Sequence, residues 1–205
     1  MSSHHNDGFT VTELLMVVAI GAVIAALALP SVLNAVNGYR LHSDAANLAS
    51  YSNIARMKAA AQFAPYRINI SMANGTFDME KLCGDTSSST DGNCTGPYNS
   101  FSTPDIELGT QYASTGDTYS SCRPSWISAY PGDITGDPAS CPTLLQIYFN
   151  TRGVPVTSSG DPLSNGGAVV YVADQNSLTD AVTFSLGGQV AVWNWDTGSG
   201  KWVMR

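Results

Sequence analysis

Between Leu14 and Tyr39 the chain has no Asp, Glu, Lys or Arg, and as far as Leu29 it is almost wholly Leu, Val, Ile, Ala and Met. A polar stretch, Met1–Gly8, precedes this run, and one carboxylate, Glu13, stands at its mouth. Counted from Phe9, the run reaches the roughly 20 residues that a helix needs to cross a bilayer. Past Pro30 the apolar positions thin to one face, with Leu41, Ala45, Leu48, Ala55 and Ala59 recurring at helical spacing. Together the two stretches predict one helix from about Thr10 to Ala64, kinked or loosened near Pro30, weakened at Gly38 and ending before Pro65. At 1.5 Å per residue it would be about 80 Å long, so only its first half, about residues 9–33, belongs to a membrane. The second half must pack on the domain that follows.

From Pro65 the period changes to two. Tyr66, Ile68, Ile70 and Met72 alternate with polar neighbours, and Asn74-Gly75 marks a hairpin turn before Thr76–Met79. Leu82 to Thr143 is rich in Ser, Thr, Gly, Pro, Asp and Asn, with short strands expected only at Asp105–Leu108 and Ser125–Ala129. A stretch so long and irregular is commonly functional or poorly ordered. Four further strands are expected at Leu144–Phe149, Ala168–Ala173, Ala181–Ser185 and Gln189–Trp195, with Gly187-Gly188 as the last hairpin turn and Trp202–Met204 pairing at the end.

Composition narrows the setting. Beyond the anchor about 165 residues remain, the size of one domain with its own core. Beyond Tyr39 there are nine basic and fourteen acidic residues, a net charge of −5, and a field of that sign repels phosphate and argues against broad nucleic-acid binding. The four cysteines, Cys83, Cys94, Cys122 and Cys141, form no C-x-x-C pair and point to disulfides made outside the cytosol. Three connectivities are open. The sequential one, Cys83 with Cys94 and Cys122 with Cys141, is favoured because each bond closes a short, turn-rich segment, contributing about 3 kcal/mol on the loop-entropy account.

The N-terminal junction, Gly8-Phe9-Thr10-Val11-Thr12-Glu13-Leu14-Leu15 with Pro30 beyond it, resembles the type III signal of type IV pilins and type II secretion pseudopilins. The resemblance implies that prepilin peptidase cuts after Gly8 and N-methylates Phe9, that Glu13 is the glutamate used in subunit assembly, and that Pro30 is the helix-kinking proline. The leader departs from the pattern in having no Lys or Arg, and Arg40, Arg56 and Lys58 all lie beyond the span, so the positive-inside rule gives no local support for orientation. Two plainer readings compete. A secretory signal peptide cut after Ala26-Leu27-Ala28 would want a basic start and leave Glu13 unexplained; a plain signal anchor would rarely carry an unpartnered charge inside its span.

The last 60 residues sharpen the resemblance. Leu145–Gly153, with Phe149 and Gly153 as a Phe-x-x-x-Gly turn, and Val182–Val190 resemble the closing region of the GspH/FimT group of minor pilins, with Gln189 where that group carries an arginine. The implied fold is α+β: a long N-terminal pilin helix, residues 9–64, packed on a β-rich, sandwich-like domain, residues 65–205, with the cysteine-bearing stretch 83–143 as an insertion. The implied protein is a non-enzymatic minor pilin or pseudopilin of a type II secretion pseudopilus or type IV pilus, placed near the tip in assembly priming. It would be held by a single pass in the bacterial inner membrane, with a periplasmic domain. Its partners would be prepilin peptidase, membrane lipid and then other major and minor pilins or pseudopilins. The alternative from another class is a DNA-binding minor pilin of natural transformation, for which the tail offers only Lys201 and Arg205.

No catalytic constellation stands out. His42 is the one histidine outside the leader, and Gly198-Ser199-Gly200-Lys201 lacks the earlier glycine and the following Ser or Thr of a phosphate loop. No cofactor is expected. Asp133, Asp137 and Asp161 in turn-rich segments are candidate Ca²⁺ ligands without EF-hand spacing, and turn geometry alone accounts for them. Trp193, Trp195 and Trp202 are expected to fill a small β core or, alternatively, to form a partner surface.

Overall fold

The computed structural model describes residues 10–81, 105–114 and 116–205. Gly8, Phe9, Cys83 and Cys94, on which several expectations rest, lie outside them. The chain divides into two compact units, residues 1–39 and 40–205. One helix, α1 (Val11–Gln62), contributes to both, and its helical assignment is continuous through residue 30. In the first unit the apolar side chains of α1 are exposed from Val11 to Leu33, and this stretch is long and apolar enough to cross a membrane.

Among the described residues of the second unit, ten strands form two five-stranded antiparallel sheets. The first sheet is built from β1 (Tyr66–Ser71), β2 (Thr76–Lys81), β3 (Asp105–Tyr112), β5 (Leu144–Phe149) and β6 (Pro155–Val156), in the order β3-β2-β1-β5-β6. The second is built from β4 (Thr118–Ser120), β7 (Gly167–Ala173), β8 (Thr179–Ser185), β9 (Val190–Asp196) and β10 (Lys201–Met204), in the order β10-β9-β8-β7-β4. Alternation sets the inner faces. Tyr66, Ile68 and Ile70 of β1 share one core with Phe77 and Met79 of β2, Val170 and Val172 of β7, and Val182 and Phe184 of β8. Leu41, Ala45, Leu48, Ala55 and Ala59 of α1 lie fully within it, so the stripe read from the sequence is the buried face. Small alanines at these positions let the helix backbone approach closely, while Leu41 and Leu48 supply apolar volume. The Phe149 and Phe184 rings meet across the two sheets at 6.5 Å between centroids.

Two expectations about the cysteine-bearing stretch change. Residues 83–143 are not simply an insertion, because β3 and β4 lie within them and form one edge of each sheet. The strand expected at Ser125–Ala129 is absent; that segment is irregular. Pro124 opens a turn in which the Ile127 N–H donates to the Pro124 carbonyl at 3.1 Å, and the Arg123 guanidinium also donates to the Ile127 carbonyl. Local bonds take the backbone groups that a ladder would need.

At its C-terminal end α1 stops on Phe63, which has φ +52° and is 81% exposed. A left-handed residue normally closes a helix here, and glycine is preferred because a Cβ costs about 1–2 kcal/mol in that conformation. Phe63→Gly should therefore stabilise the protein by about 0.5–1 kcal/mol after the extra chain entropy of glycine is counted. Thermal unfolding should show a midpoint raised by about 2 °C. An unchanged or lowered midpoint would mean that the phenyl ring contributes contacts that offset the strain.

Candidate functional site

The start of α1 is fixed by a reciprocal pair. The Glu13 N–H donates to the Thr10 hydroxyl oxygen at 3.3 Å, while Glu13 Oε2 accepts from the Thr10 N–H at 3.3 Å and from its hydroxyl at 3.2 Å. This is a capping box, with Thr10 at the cap and Glu13 three residues on, satisfying donors that the first helical turn leaves free. The carboxylate also lies where the helix dipole favours an anion. Its T-x-x-E signature is legible in the sequence, yet the resemblance draws attention to Glu13 alone and passes over Thr10. Glu13 thus has a role within its own chain, independent of any neighbour.

At the other end of the chain, the two turns that carry the C-terminal resemblance converge on one point of α1. Gly153 has φ +72°, and a Cβ there would meet the Arg56 carbonyl oxygen at 2.9 Å. Gly188 has φ +85°, and its Cβ would lie 2.9 Å from the Gly153 carbonyl oxygen and 3.2 Å from Arg56 Nε. The backbone of each turn therefore lies where a side chain would otherwise stand. Arg56 is the common neighbour, and nothing in the local sequence marks it, since the contact joins segments about a hundred residues apart. Gln189 continues the same hairpin, its N–H donating to Ser185 Oγ at 3.0 Å.

The outer face of the second sheet is covered by the segment that follows β4. Tyr130 and Ile134 pack with Val169, Tyr171, Ala181, Trp193 and Trp202 in a second apolar cluster. Trp195 and Trp202, direct partners on β9 and β10, meet edge to face at 5.3 Å between centroids. Neighbours also accept from indoles here: Trp202 Nε1 donates to the Ala129 carbonyl at 2.9 Å and Trp193 Nε1 to Thr183 Oγ1 at 2.9 Å. The tryptophans fill a small core, as one of the two sequence readings has it. A disulfide between Cys122 and Cys141 closes the covering segment, and Asp137 staples it internally by accepting from the Arg123 N–H at 2.9 Å and the Tyr130 hydroxyl at 3.0 Å. Beside it, Gly132, Asp133, Thr183, Gln189, Trp193 and Met204 are among the residues around a shallow depression of about 170 Å³.

The three aspartates considered for Ca²⁺ are not gathered together. Asp137 holds the covering segment, Asp161 accepts from Ser159 Oγ at 2.8 Å in its own turn, and among the described residues no group of three or more acidic, histidine or cysteine side chains is placed to hold a metal. His42 pairs with Asp180, Nδ1 to Oδ2 at 2.8 Å, and Asn194 donates to the other oxygen of Asp180 at 2.7 Å. That arrangement ties α1 to β8 and β9. The two tail cations considered for DNA binding, Lys201 and Arg205, have polar company: Lys201 is the cross-strand partner of Asp196, and Arg205 donates to Asn194 at 3.4 Å.

Residues 3–29 match the family model described as the prokaryotic N-terminal methylation motif. Among solved structures the chain is similar to the minor pseudopilin EpsH of the type 2 secretion system of Vibrio cholerae, with 9% identity over 75% of this chain and 95% of that one, at a TM-score of 0.46. It is also similar to the type IV minor pilin FimU of Pseudomonas aeruginosa, with 13% identity over 80% of this chain and 92% of that one, at a TM-score of 0.44. No curated protein matches the chain in sequence.

Proposed function

From a chain that is type IV pilin-like, with the N-terminal methylation motif at residues 3–29 on a long helix ahead of an antiparallel β domain, we propose a minor pilin or pseudopilin that is cut after Gly8, methylated at Phe9 and built into a filament. The observation that carries this reading is the motif itself, with Glu13 as the one charge at the mouth of an uncharged stretch running to Tyr39. In the membrane the exposed apolar side chains of Val11 to Leu33 face lipid; in the filament the same side chains face other helices, so extraction exchanges one apolar environment for another. The β domain lies on the periplasmic side. The disulfide between Cys122 and Cys141 suits that oxidising compartment. The reading extends to a place near the filament tip, where a minor subunit would help to prime assembly, and the likeness of the C-terminal turns to the GspH/FimT group is what favours that extension.

The N-terminal peptide of protein recovered from its native membrane tests the processing. Mass spectrometry should find a chain beginning at Phe9 and one methyl group heavier than the unmodified sequence. A chain beginning at Met1 in cells with active prepilin peptidase, or at Leu29, would overturn the reading.

A further inference from the structure

The second half of α1 meets the connection between β3 and β4 through two carboxylates. Asp44 on the helix is only 6% exposed and accepts from the Ser114 N–H at 2.6 Å and the Ser114 hydroxyl at 3.1 Å. Asp117, further along the same connection, lies against Asp44, and its Oδ2 is buried with no hydrogen-bond partner. The Tyr119 hydroxyl, on β4, is also buried without a partner, and the charges of Asp44 and Asp117 act on it. Asp174, just past β7, adds a third negative charge, and Arg40 on α1 is the cation that opposes them.

With both Asp44 and Asp117 ionised, this arrangement is poorly satisfied. Carboxylates accept hydrogen bonds but cannot donate them, so two anions touch and a buried oxygen has no donor. One proton removes both faults. It turns the Asp117 carboxyl into a donor, with the Asp44 carboxylate against it as acceptor, and it cancels one of the facing charges. Burial first, then the charge of Asp44, pushes the Asp117 carboxyl up to about 7, with Arg40 acting in the opposite direction. Burial and the same two carboxylates also push the Tyr119 hydroxyl up, which keeps it neutral over the same range.

We propose that Asp44 and Asp117 are a proton-sharing clasp that fastens α1 to the β3–β4 connection while it holds one proton and loosens when that proton leaves to solvent. The position gives the clasp its leverage. β3 is the edge of the first sheet and β4 the edge of the second, so the connection between them ties the two sheets at one side of the core. A single carboxyl therefore sets how firmly both edges are held against the helix.

The sign follows from the direction of the shift. The carboxyl is raised in the folded protein above its ordinary value near 3.8, so the stability it contributes is complete below about pH 4 and is lost as pH rises through about 7. The test uses full-length protein in detergent micelles between pH 5 and 9. Asp117→Asn keeps the shape and supplies a permanent donor toward Asp44 without a charge to lose. Wild type should lose several degrees of thermal midpoint across this range, and Asp117→Asn should lose at least twofold less. His42 and its partner Asp180 are present in both proteins, so the difference between them isolates the clasp. Parallel profiles would overturn the proposal. Should the variant fail to fold, carboxyl-carbon NMR of wild type decides: a midpoint near 7 for one member of the pair supports the clasp, and ordinary midpoints for both overturn it. Neither measurement depends on filament assembly, so failure here would leave the pilin reading untouched.

Discussion

Gly153→Ala should lower the thermal midpoint of the β domain by about 8 °C, corresponding to roughly 3 kcal/mol at a few degrees per kcal/mol. Part of the loss is local, because an L side chain at φ +72° costs about 1–2 kcal/mol. The rest comes from contact: the new Cβ would stand 2.9 Å from the Arg56 carbonyl oxygen, and a helix backbone yields less readily than the end of a side chain, adding about 1–3 kcal/mol as in an overpacked core. Gly200→Ala is the matched control, since Gly200 has φ +64° with nothing within 4 Å of its Cβ position. It should show the local cost alone. Equal losses at the two positions would mean that the approach to Arg56 is not a constraint. Gly188→Ala should resemble Gly153→Ala, and the double variant should lose less than the sum, because both turns press on the same point of α1.

The second large effect concerns Glu13, whose two roles can be separated. As a member of the capping box it serves its own helix, and loss of such a cap costs about 1 kcal/mol. As for the glutamate that the pilin resemblance assigns to subunit assembly, we propose that it pairs with the Phe9 amine of a neighbouring subunit; its loss would break an ion pair in apolar surroundings, where removing one member costs about 3–5 kcal/mol. Glu13→Ala removes both roles. Glu13→Gln retains the capping box, which accepts Gln at this position, and loses only the charge. Thr10→Ala removes the cap hydroxyl and retains the charge. The proposed pairing therefore predicts that Glu13→Ala and Glu13→Gln both reduce co-purification with fibre partners from membranes by at least about tenfold, the effect of 1.4 kcal/mol, while Thr10→Ala reduces it far less. Rescue by Glu13→Gln, with Thr10→Ala matching Glu13→Ala, would show that the helix cap governs incorporation.

What the sequence made legible was what local pattern controls. The strand expected at Leu144–Phe149 coincides with β5, and the apolar face from Leu41 to Ala59 with the buried side of α1. The three-residue β4 and two-residue β6 escaped notice, because so few residues cannot establish a period and Thr118–Ser120 lies among turn formers. Ser125–Ala129 has strand-like side chains but lies between Pro124 and Pro131, and local turns used its backbone. At the helix start, Thr10 and Glu13 are close enough in sequence for their pairing to be readable. Asp44 and Ser114 are 70 residues apart; neither has a neighbouring signal, and only the closing of the two sheets brings them together. Arg56 is hidden for the same reason, because the glycines that approach it are recognisable as turns while their target is not.

The covering of the second sheet has a consequence for how the protein must be made. β7 and β8 are buried on both faces, one by the main core and the other by the segment between Cys122 and Cys141. Until that bond closes, less holds the segment in place over Tyr171, Trp193 and Trp202, and the sheet should then present an aromatic surface of the kind that recruits other chains. The oxidation state of two cysteines thus bears on whether the aromatic face stays covered. Material in which these two cysteines stay reduced should fail by aggregation rather than by mild loss of stability, and if the protein is the filament subunit proposed above, its bond must close before it meets other subunits.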